Sequence, residues 1–154
     1  MSISIGDIAP EFTLVGIEGP NAETRTYSLA DYRGHPLVLV FYPGDDSPVC
    51  TKQLNSYNNG LDEFAKLSAK ILAISAQDIA SHSRFSGKHG FAFPLLADAE
   101  KAVAAAYGTL GPLGFPRRSV FVIDGGGIIR YAHRAIAGLT YRPVSELIEA
   151  IQNC

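Results

Sequence analysis

Cys50 and Ser47 are the residues of this sequence whose types and spacing most clearly suggest chemistry. Both lie in the segment PGDDSPVC (43–50), which follows the apolar run LVLVFY (37–42). The spacing is that of a CxxC disulfide motif, but a serine hydroxyl stands where the first sulfur would be. Such a hydroxyl can donate to a thiolate or to a bound oxygen, and it can also accept a hydrogen bond. Three hypotheses follow: a broken disulfide exchanger, a buried structural thiol, or a thiol activated for other chemistry.

The position predicted for Cys50 favours an activated thiol. The apolar run predicts a buried strand, and the sequence after it predicts a helix, so Cys50 is expected in the first turn of that helix. Reactive groups of open α/β sheets gather at the carboxyl ends of strands. The unpaired N–H groups and the positive dipole at a helix start favour a thiolate over a thiol. Pro48 suits the first helical position, where its missing N–H is not needed.

Charged residues near Cys50 act in both directions. Asp45 and Asp46 would oppose a thiolate if they pointed inward, so we expect them to face solvent or to cap the helix. Arg118 is the best candidate for a positive partner, because it directly precedes the apolar run SVFVI (119–123) and a buried charge must be paired. A guanidinium stays ionised and offers several donors, so it can stabilise both a thiolate and a developing oxyanion.

Each of these residues also has a structural interpretation. Cys50 can pack as a small hydrophobe, Ser47 can be an N-cap, Arg118 can be a surface residue and Pro43 can simply end the strand. Cys154, the last residue, is expected to be an exposed thiol at a frayed terminus. The four histidines do not show the spacing of metal ligands.

The elements that must position these residues follow from hydrophobic periodicity. The predicted order is an N-terminal β-hairpin, then β-α-β-α, a short strand and helix, a glycine-turn hairpin and a last amphipathic helix. One long helix, kinked near 58–60, is predicted between Val49 and Leu67. The glycine-rich loop between Tyr107 and Arg117 is expected to border a cleft. This pattern predicts an α/β protein with a thioredoxin-like fold: a mixed central sheet flanked by helices, with an N-terminal β-hairpin extension.

Composition limits the class of protein. The 154 residues, without a repeat or a linker, predict a single domain spanning 1–154. An apolar fraction of 47% favours a compact core. A net charge of −2 gives no general attraction to nucleic acid or to an anionic membrane. No signal peptide or membrane-spanning run is found, so a cytoplasmic location is expected, and two cysteines cannot build a disulfide framework.

At these residues the sequence resembles the peroxiredoxins. Pro43, Ser47 and Cys50 match the PxxxT/SxxC signature of that family, and the form FYPxDDxPxCT is closest to the bacterioferritin-comigratory, or Q-type, branch. The resemblance covers nearly the whole chain through the ordered segments GDIAPEFTL, LVFYPGDDSPVCTKQL, FPLLAD and RRSVFVID.

The resemblance implies a thiol peroxidase with a thioredoxin-like fold and without a metal or a bound organic cofactor. Cys50 would be the peroxidatic cysteine, oxidised to sulfenic acid by hydrogen peroxide or an organic hydroperoxide. Ser47 would orient the peroxide, Pro43 would shield the thiolate, and Arg118 would match the family's arginine. Gln53 would occupy the position of a Glu or Gln that often supports that arginine.

The sequence departs from the family at the resolving cysteine. Asn55 stands where many Q-type members carry it, and residues 78–90 contain no cysteine. We therefore expect a one-cysteine mechanism with an external thiol reductant: thioredoxin, glutaredoxin or a low-molecular-weight thiol. Two alternatives stay open: resolution by Cys154, most plausibly between subunits of a homodimer, and a redox sensor or binding module that uses the same sulfenic acid without turnover. The sequence does not choose between a monomer and a homodimer.

Overall fold

The computed structural model describes residues 3–19, 23–111, 114, 116–135 and 140–154. Within these residues the chain forms strands β1 (Thr13–Ile17), β2 (Arg25–Ser28), β3 (Leu37–Phe41), β4 (Lys70–Ser75), β5 (Leu95–Ala97), β6 (Ser119–Ile123) and β7 (Ile129–Arg134). It also forms helices α1 (Pro48–Asn59), α2 (Leu61–Lys66), α3 (Ile79–His89), α4 (Ala102–Ala106) and α5 (Val144–Gln152), and a 3₁₀ turn (Leu29–Tyr32). None of these helices has the length and apolar character that crossing a membrane requires.

The strands form one mixed sheet in the order β2-β1-β5-β4-β3-β6-β7. The central strand β3 pairs in parallel with β4 and antiparallel with β6. The N-terminal hairpin β1–β2 joins the sheet through an antiparallel pairing of β1 with β5. The mixed sheet, its helices and this hairpin confirm the predicted thioredoxin-like α/β fold.

The two faces of the sheet carry separate hydrophobic cores, because successive side chains of a strand point to opposite faces. On one face Val38 and Val40 pack with residues of α1, α2, α3 and α5, and this core includes Cys50. On the other face Leu37, Leu39 and Phe41 pack with α4 and the 3₁₀ turn. Every residue of β3 is buried, which explains its unbroken apolar sequence.

The single kinked helix predicted between Val49 and Leu67 is wrong: α1 and α2 are separate helices that meet at Gly60. The N–H of Gly60 bonds to carbonyls in the last turn of α1, which closes that helix. A Cβ at Gly60 would lie 3.0 Å from Cγ1 of Val144, so the absence of a side chain lets α5 approach the break closely.

Two carboxylates contact the starts of helices. The carboxylate of Asp78 caps α3, because it accepts from the N–H of Ser81 at 2.9 Å. The carboxylate of Asp98 instead accepts from the N–H groups of Val103 and Ala104, so it is joined to α4 across an intervening turn. Parts of the loop between 107 and 117, predicted to border a cleft, lie outside the described residues.

Candidate active site

Cys50 occupies the third position of α1, directly after the loop that leaves β3. Ser47 is the N-cap residue and Pro48 the first helical residue, as the sequence predicts. The thiol is fully buried, with a relative exposure of 0%, and is part of the core that also holds Tyr42 and Tyr57. Because the first-turn N–H groups of a helix have no partners within it, they present a partial positive charge to this buried sulfur.

Arg118 and Cys50, which the sequence selected separately, lie in contact. The Arg118 Nη1 donates to the Cys50 Sγ at 3.3 Å, and both side chains are buried. The pairing of β3 with β6 produces this contact, since Phe41 at the end of β3 lies opposite Ser119 at the start of β6. The residue just before β6 therefore lies beside the helix start that follows β3.

A chain of hydrogen bonds continues from Arg118 through α1. Arg118 Nη1 donates to Gln53 Oε1 at 2.7 Å, and Gln53 Nε2 donates to the Tyr57 hydroxyl at 3.1 Å. That hydroxyl in turn donates to the carbonyl of Arg142 at 3.1 Å. Burial raises the pKa of Tyr57 to about 12, so the hydroxyl keeps the proton that it donates. The chain fixes the orientation of the Gln53 amide with its oxygen toward the guanidinium.

Tyr57 belongs to the candidate site although sequence reasoning missed it. In the sequence Tyr57 is one residue within the predicted helix between Val49 and Leu67, with no sign of a polar role. A helix places residues 50, 53, 54 and 57 along one face. The four-residue step from Gln53 to Tyr57 is therefore the sequence feature that could have indicated a contact between these two side chains. The ring of Tyr57 also meets that of Tyr141 edge to face, with the centroids 6.3 Å apart.

Ser47 and Pro43 lie on the loop that leads to Cys50, and both are half-buried. Although Ser47 has the backbone conformation of an N-cap, its side chain makes no capping hydrogen bond. Its carbonyl instead accepts the first bond of the helix, from the N–H of Thr51 at 2.9 Å. The capping interpretation of the hydroxyl is therefore not supported, and the hydroxyl is available to another group.

The expectation that both aspartates face solvent or cap the helix is wrong for Asp45. Asp46 is exposed, with 55% of its side chain accessible and Lys88 Nζ at 3.8 Å. Asp45 points inward, with 2% of its side chain accessible, and its Oδ2 lies 2.8 Å from Nδ1 of His82. The inward orientation is possible because His82, Ser81 and Tyr42 supply three polar partners for the buried carboxylate.

These partners decide the ionisation of Asp45. Burial by itself would raise the pKa of this carboxyl, but the hydrogen bond and charge of His82, with hydrogen bonds from Ser81 and Tyr42, hold the pKa below its usual value. Burial raises the pKa of Tyr42 well above its usual value, and Asp45 and Cys50 add to this effect. Tyr42 is therefore a neutral donor between the aspartate and the cysteine.

Cys154 lies near the opposite end of the sheet from Cys50. Its thiol is exposed and is free, as is that of Cys50. Burial of part of the side chain raises the pKa of Cys154, with a further increase from Asp124 and an opposing effect of Arg130, so these charges are its neighbours. Arg118, in contact with Cys50, and Asp124, a neighbour of Cys154, flank β6 at its two ends. Six residues of extended chain span roughly 20 Å, so the two cysteines lie near opposite ends of this strand.

The residues that the structure describes contain no group of three or more His, Cys, Asp or Glu side chains that could hold a metal ion. The arrangement around Cys50 is instead that of a nucleophile: a buried sulfur at a helix start, an arginine in contact with it and, on the loop before it, a hydroxyl that makes no capping bond. This is an arrangement that can stabilise a thiolate and the oxygen atoms of a small oxidant.

Comparison with known proteins identifies the family. Residues 5–132 match the AhpC/TSA family. Peroxiredoxin Q, chloroplastic, of Triticum aestivum is 33% identical over 98% of this chain and 68% of its own length. The protein of the same name from Oryza sativa subsp. japonica is 35% identical over 85% of this chain, which spans 59% of the rice protein's length.

The solved structures agree. AhpC of Mycobacterium bovis superimposes with a TM-score of 0.89 and 25% identity, and the match covers 99% of this chain and 92% of that structure. The predicted resemblance is therefore confirmed: the chain belongs to the AhpC/TSA family, as a peroxiredoxin of the Q-type branch.

Proposed function

We propose that this thiol-dependent peroxidase uses Cys50 as its peroxidatic nucleophile, with Arg118, Ser47 and Pro43 forming the site around it. The observation that carries the proposal is the 3.3 Å contact between Arg118 Nη1 and the buried Cys50 Sγ. An arginine stays ionised, and a buried positive charge favours an anion in contact with it. A thiolate at Cys50 is such an anion, and the helix start supports it further.

The proposed first step is a displacement at oxygen. The Cys50 thiolate attacks the terminal oxygen of a hydroperoxide, a sulfur–oxygen bond forms and the oxygen–oxygen bond breaks. The sulfur is oxidised to sulfenic acid and the peroxide is reduced, while the leaving oxygen takes up a proton and departs as water or an alcohol. Negative charge moves from sulfur to the leaving oxygen during this step, so donors that face both atoms stabilise the transition state.

The neighbouring residues have distinct proposed roles. Arg118 donates to the sulfur and, as charge moves, to the peroxide oxygens. Ser47 orients the peroxide through its hydroxyl, which makes no capping bond and lies one helical turn before Cys50. Pro43 is half-buried on the same loop and limits access of water to the thiolate.

Return of Cys50 to the thiol requires a different access route. The sulfur has a relative exposure of 0%, so the thiol of another protein cannot reach it in this conformation. We infer that the first turn of α1 opens before the sulfenic acid is reduced. An external thiol then attacks the sulfenic sulfur, water leaves, and a second thiol releases Cys50 from the mixed disulfide.

We favour the external thiol over Cys154 as the reductant. Cys154 has Asp124 and Arg130 as neighbours, at the end of β6 far from Arg118, which argues against a disulfide within one chain. Its thiol also has a raised pKa, which lowers the fraction present as the attacking thiolate. A bond between Cys50 and Cys154 of a second copy remains compatible with this geometry.

Trapping of the Cys50 sulfenic acid tests the proposed function. The protein is treated with one equivalent of hydrogen peroxide and then with a sulfenic-acid reagent, and each cysteine is analysed by mass spectrometry. We expect the label at Cys50, and we expect Cys50→Ser to remove both the label and peroxide consumption. The proposal fails if native Cys50 stays unmodified under conditions in which the denatured chain reacts.

The matched control is Cys154→Ser. With an external thiol as reductant, this variant should keep nearly all of the turnover of the wild type. Loss of turnover in this variant, together with a disulfide mapped between Cys50 and Cys154, would replace the one-cysteine mechanism by a two-cysteine mechanism and would leave the peroxidatic role of Cys50 intact.

A further inference from the structure

A buried polar cluster fills the space between the loop before α1 and helix α3. His82 is fully buried, and its Nε2 lies 3.0 Å from the carbonyl oxygen of Leu96 on β5. Its Nδ1 lies 2.8 Å from Asp45 Oδ2. Asp45 also accepts from the Tyr42 hydroxyl at 2.7 Å and from the Ser81 hydroxyl at 2.6 Å. None of these groups has a role in the peroxide chemistry described above.

The partners of His82 require a proton on both ring nitrogens. A carbonyl oxygen can only accept, so Nε2 must carry a proton to donate to Leu96. A carboxylate likewise only accepts, and Asp45 already accepts from two hydroxyls, so Nδ1 must donate to it. The alternative is a neutral ring facing a protonated Asp45, whose Oδ2 would have to donate to Nδ1 while it accepts from the Ser81 hydroxyl. The pair is an imidazolium and a carboxylate, both buried.

The same loop is also bonded to Gln77, on the connection between β4 and α3. The N–H of Asp45 donates to Gln77 Oε1 at 3.2 Å, and the Ser75 hydroxyl donates to the same oxygen at 2.6 Å. Asp46, the next residue, has a φ of 62°, a left-handed conformation that a non-glycine residue adopts at a cost. The loop that carries Pro43 and Ser47 thus depends on Asp45 for its shape.

We propose that Asp45 and His82 are a positioning pair for the reaction of Cys50 with peroxide. The imidazolium fixes Asp45, and Asp45 sets the loop that carries Ser47 to the start of α1. Loss of either ring proton removes this positive charge and leaves a lone pair facing an acceptor, Asp45 Oδ2 or the Leu96 carbonyl. This inference rests on the proposed role of Cys50 and adds to it a requirement for a protonated histidine.

The polar and charged groups beside His82 lie on the loop before α1, at the end of β3, on α3 and on β5. Asp45 on the loop is the anion in contact with it, and Tyr42 at the end of β3 places a neutral hydroxyl 3.5 Å from Nδ1. Ser81 on α3 and the Leu96 carbonyl on β5 complete the polar contacts. Lys88 and Asp46 pair at the surface, where solvent screens them.

Nitrogen NMR of the histidine rings tests the protonation state in the wild-type protein, without any variant. We expect the His82 ring to carry two protons at neutral pH, both protected from exchange with solvent because the ring is fully buried. A ring with a single proton at neutral pH, on either nitrogen, would overturn the inference. The exposed His35 ring, in the same sample, supplies the reference signal of a solvated histidine.

The rate of Cys50 oxidation as a function of pH tests the functional consequence. In stopped-flow experiments with hydrogen peroxide, the wild-type rate should fall at alkaline pH, over the range in which the NMR signals report loss of the second ring proton. His82→Gln should lack this alkaline fall and should react roughly ten- to a hundredfold more slowly at neutral pH, as expected for a displaced catalytic geometry. His35→Gln, at the other end of β3, should keep the wild-type profile.

Asp45→Asn separates charge from packing. The amide oxygen can accept from Tyr42, and the amide nitrogen can donate to Ser81 and to the bare Nδ1 of a neutral His82. This variant should fold and should show no alkaline fall. An alkaline fall in both Asp45→Asn and His82→Gln identical to that of the wild type would overturn the pairing and leave the role of Cys50 untouched, whereas absence of any Cys50 oxidation in the wild type would contradict the proposed function itself.

Discussion

Arg118 Nη1 lies 3.3 Å from Cys50 Sγ, although the two residues are 68 positions apart in the chain. The same nitrogen also donates to Gln53 Oε1 at 2.7 Å. Its two protons therefore have two different acceptors, and the plane of the guanidinium is fixed by both. A lysine ammonium is a point charge without such a plane, so an arginine at this position supplies orientation as well as charge.

Replacement of Arg118 should separate these two contributions. Arg118→Met removes the charge, and we expect the second-order rate of Cys50 oxidation to fall by about 100- to 1,000-fold, as for loss of a donor to a developing oxyanion. Arg118→Lys keeps the charge and should recover only part of the rate. Stopped-flow oxidation with hydrogen peroxide measures the rate, and ultraviolet absorbance of the thiolate reports its population.

The neighbouring Arg117 offers a matched control. It is half-buried and donates through Nε to the carbonyl of Ala135 at 3.2 Å, away from the sulfur. Arg117→Lys should leave the oxidation rate within about a factor of two of the wild type, since charge screening near a surface is strong. Equal losses from Arg117→Lys and Arg118→Lys would indicate a general effect of charge and not the contact with Cys50.

Substitution of Ser47 distinguishes a helix cap from a group that acts on the peroxide. A typical capping serine contributes about 1 kcal/mol to stability, but this hydroxyl makes no capping bond. Ser47→Ala should therefore change the free energy of unfolding by less than about 0.5 kcal/mol and still lower the oxidation rate roughly tenfold or more. Ser47→Thr keeps a hydroxyl and should retain most of the rate. Urea unfolding and stopped-flow oxidation give the two quantities, and a loss of stability without a loss of rate would contradict the proposed role.

Tyr57 should support Arg118 through Gln53. Tyr57→Phe leaves the Gln53 amide and the carbonyl of Arg142 without their partner, which costs about 1–3 kcal/mol of stability for buried groups. The freed amide can also turn its oxygen away from the guanidinium, so the rate of Cys50 oxidation should fall as well. Urea unfolding and peroxide kinetics on the same preparation measure both effects.

Tyr141→Phe is the control for that variant. Tyr141 packs edge to face against Tyr57 and keeps that ring contact as a phenylalanine. We expect it to match the wild type in rate. If Tyr57→Phe lowers stability but leaves the oxidation rate and its dependence on pH unchanged, then Tyr57 has a structural role only.

Sequence reasoning found the parts of this site that depend on local pattern. The unbroken apolar run of β3 predicted a buried strand, and its end predicted the position of Cys50 at a helix start. Arg118 was found because a charge directly before a buried strand requires a partner. Both inferences use only the order of residues in one segment, so they hold without knowledge of how distant segments meet.

The parts that were missed depend on contacts between distant segments. Asp45 was expected at the surface because carboxylates near a thiolate oppose it, but His82 lies 37 residues away and reverses that expectation. The close approach of Val144 to Gly60, where α1 ends and α2 begins, likewise joins two distant segments. No local pattern reports such pairs in a single sequence.

The ionisation of Asp45 predicts how stability changes in acid. Its folded-state pKa is lowered, so its contribution is fully present above the unfolded-state value of about 4 and is lost as the pH falls through the folded-state value. Each unit of that lowering corresponds to about 1.4 kcal/mol. Between about pH 5 and pH 3 the wild type should therefore lose stability that the double variant Asp45→Asn/His82→Gln, which has no proton to gain at this site, retains. Urea unfolding of both proteins across this range measures the difference.

Asp46→Asn provides the control, because its exposed carboxylate is screened by solvent and its removal should leave the acid dependence of the wild type nearly unchanged. Parallel stability curves for the wild type and this double variant would contradict the assignment of a buried, ionised Asp45.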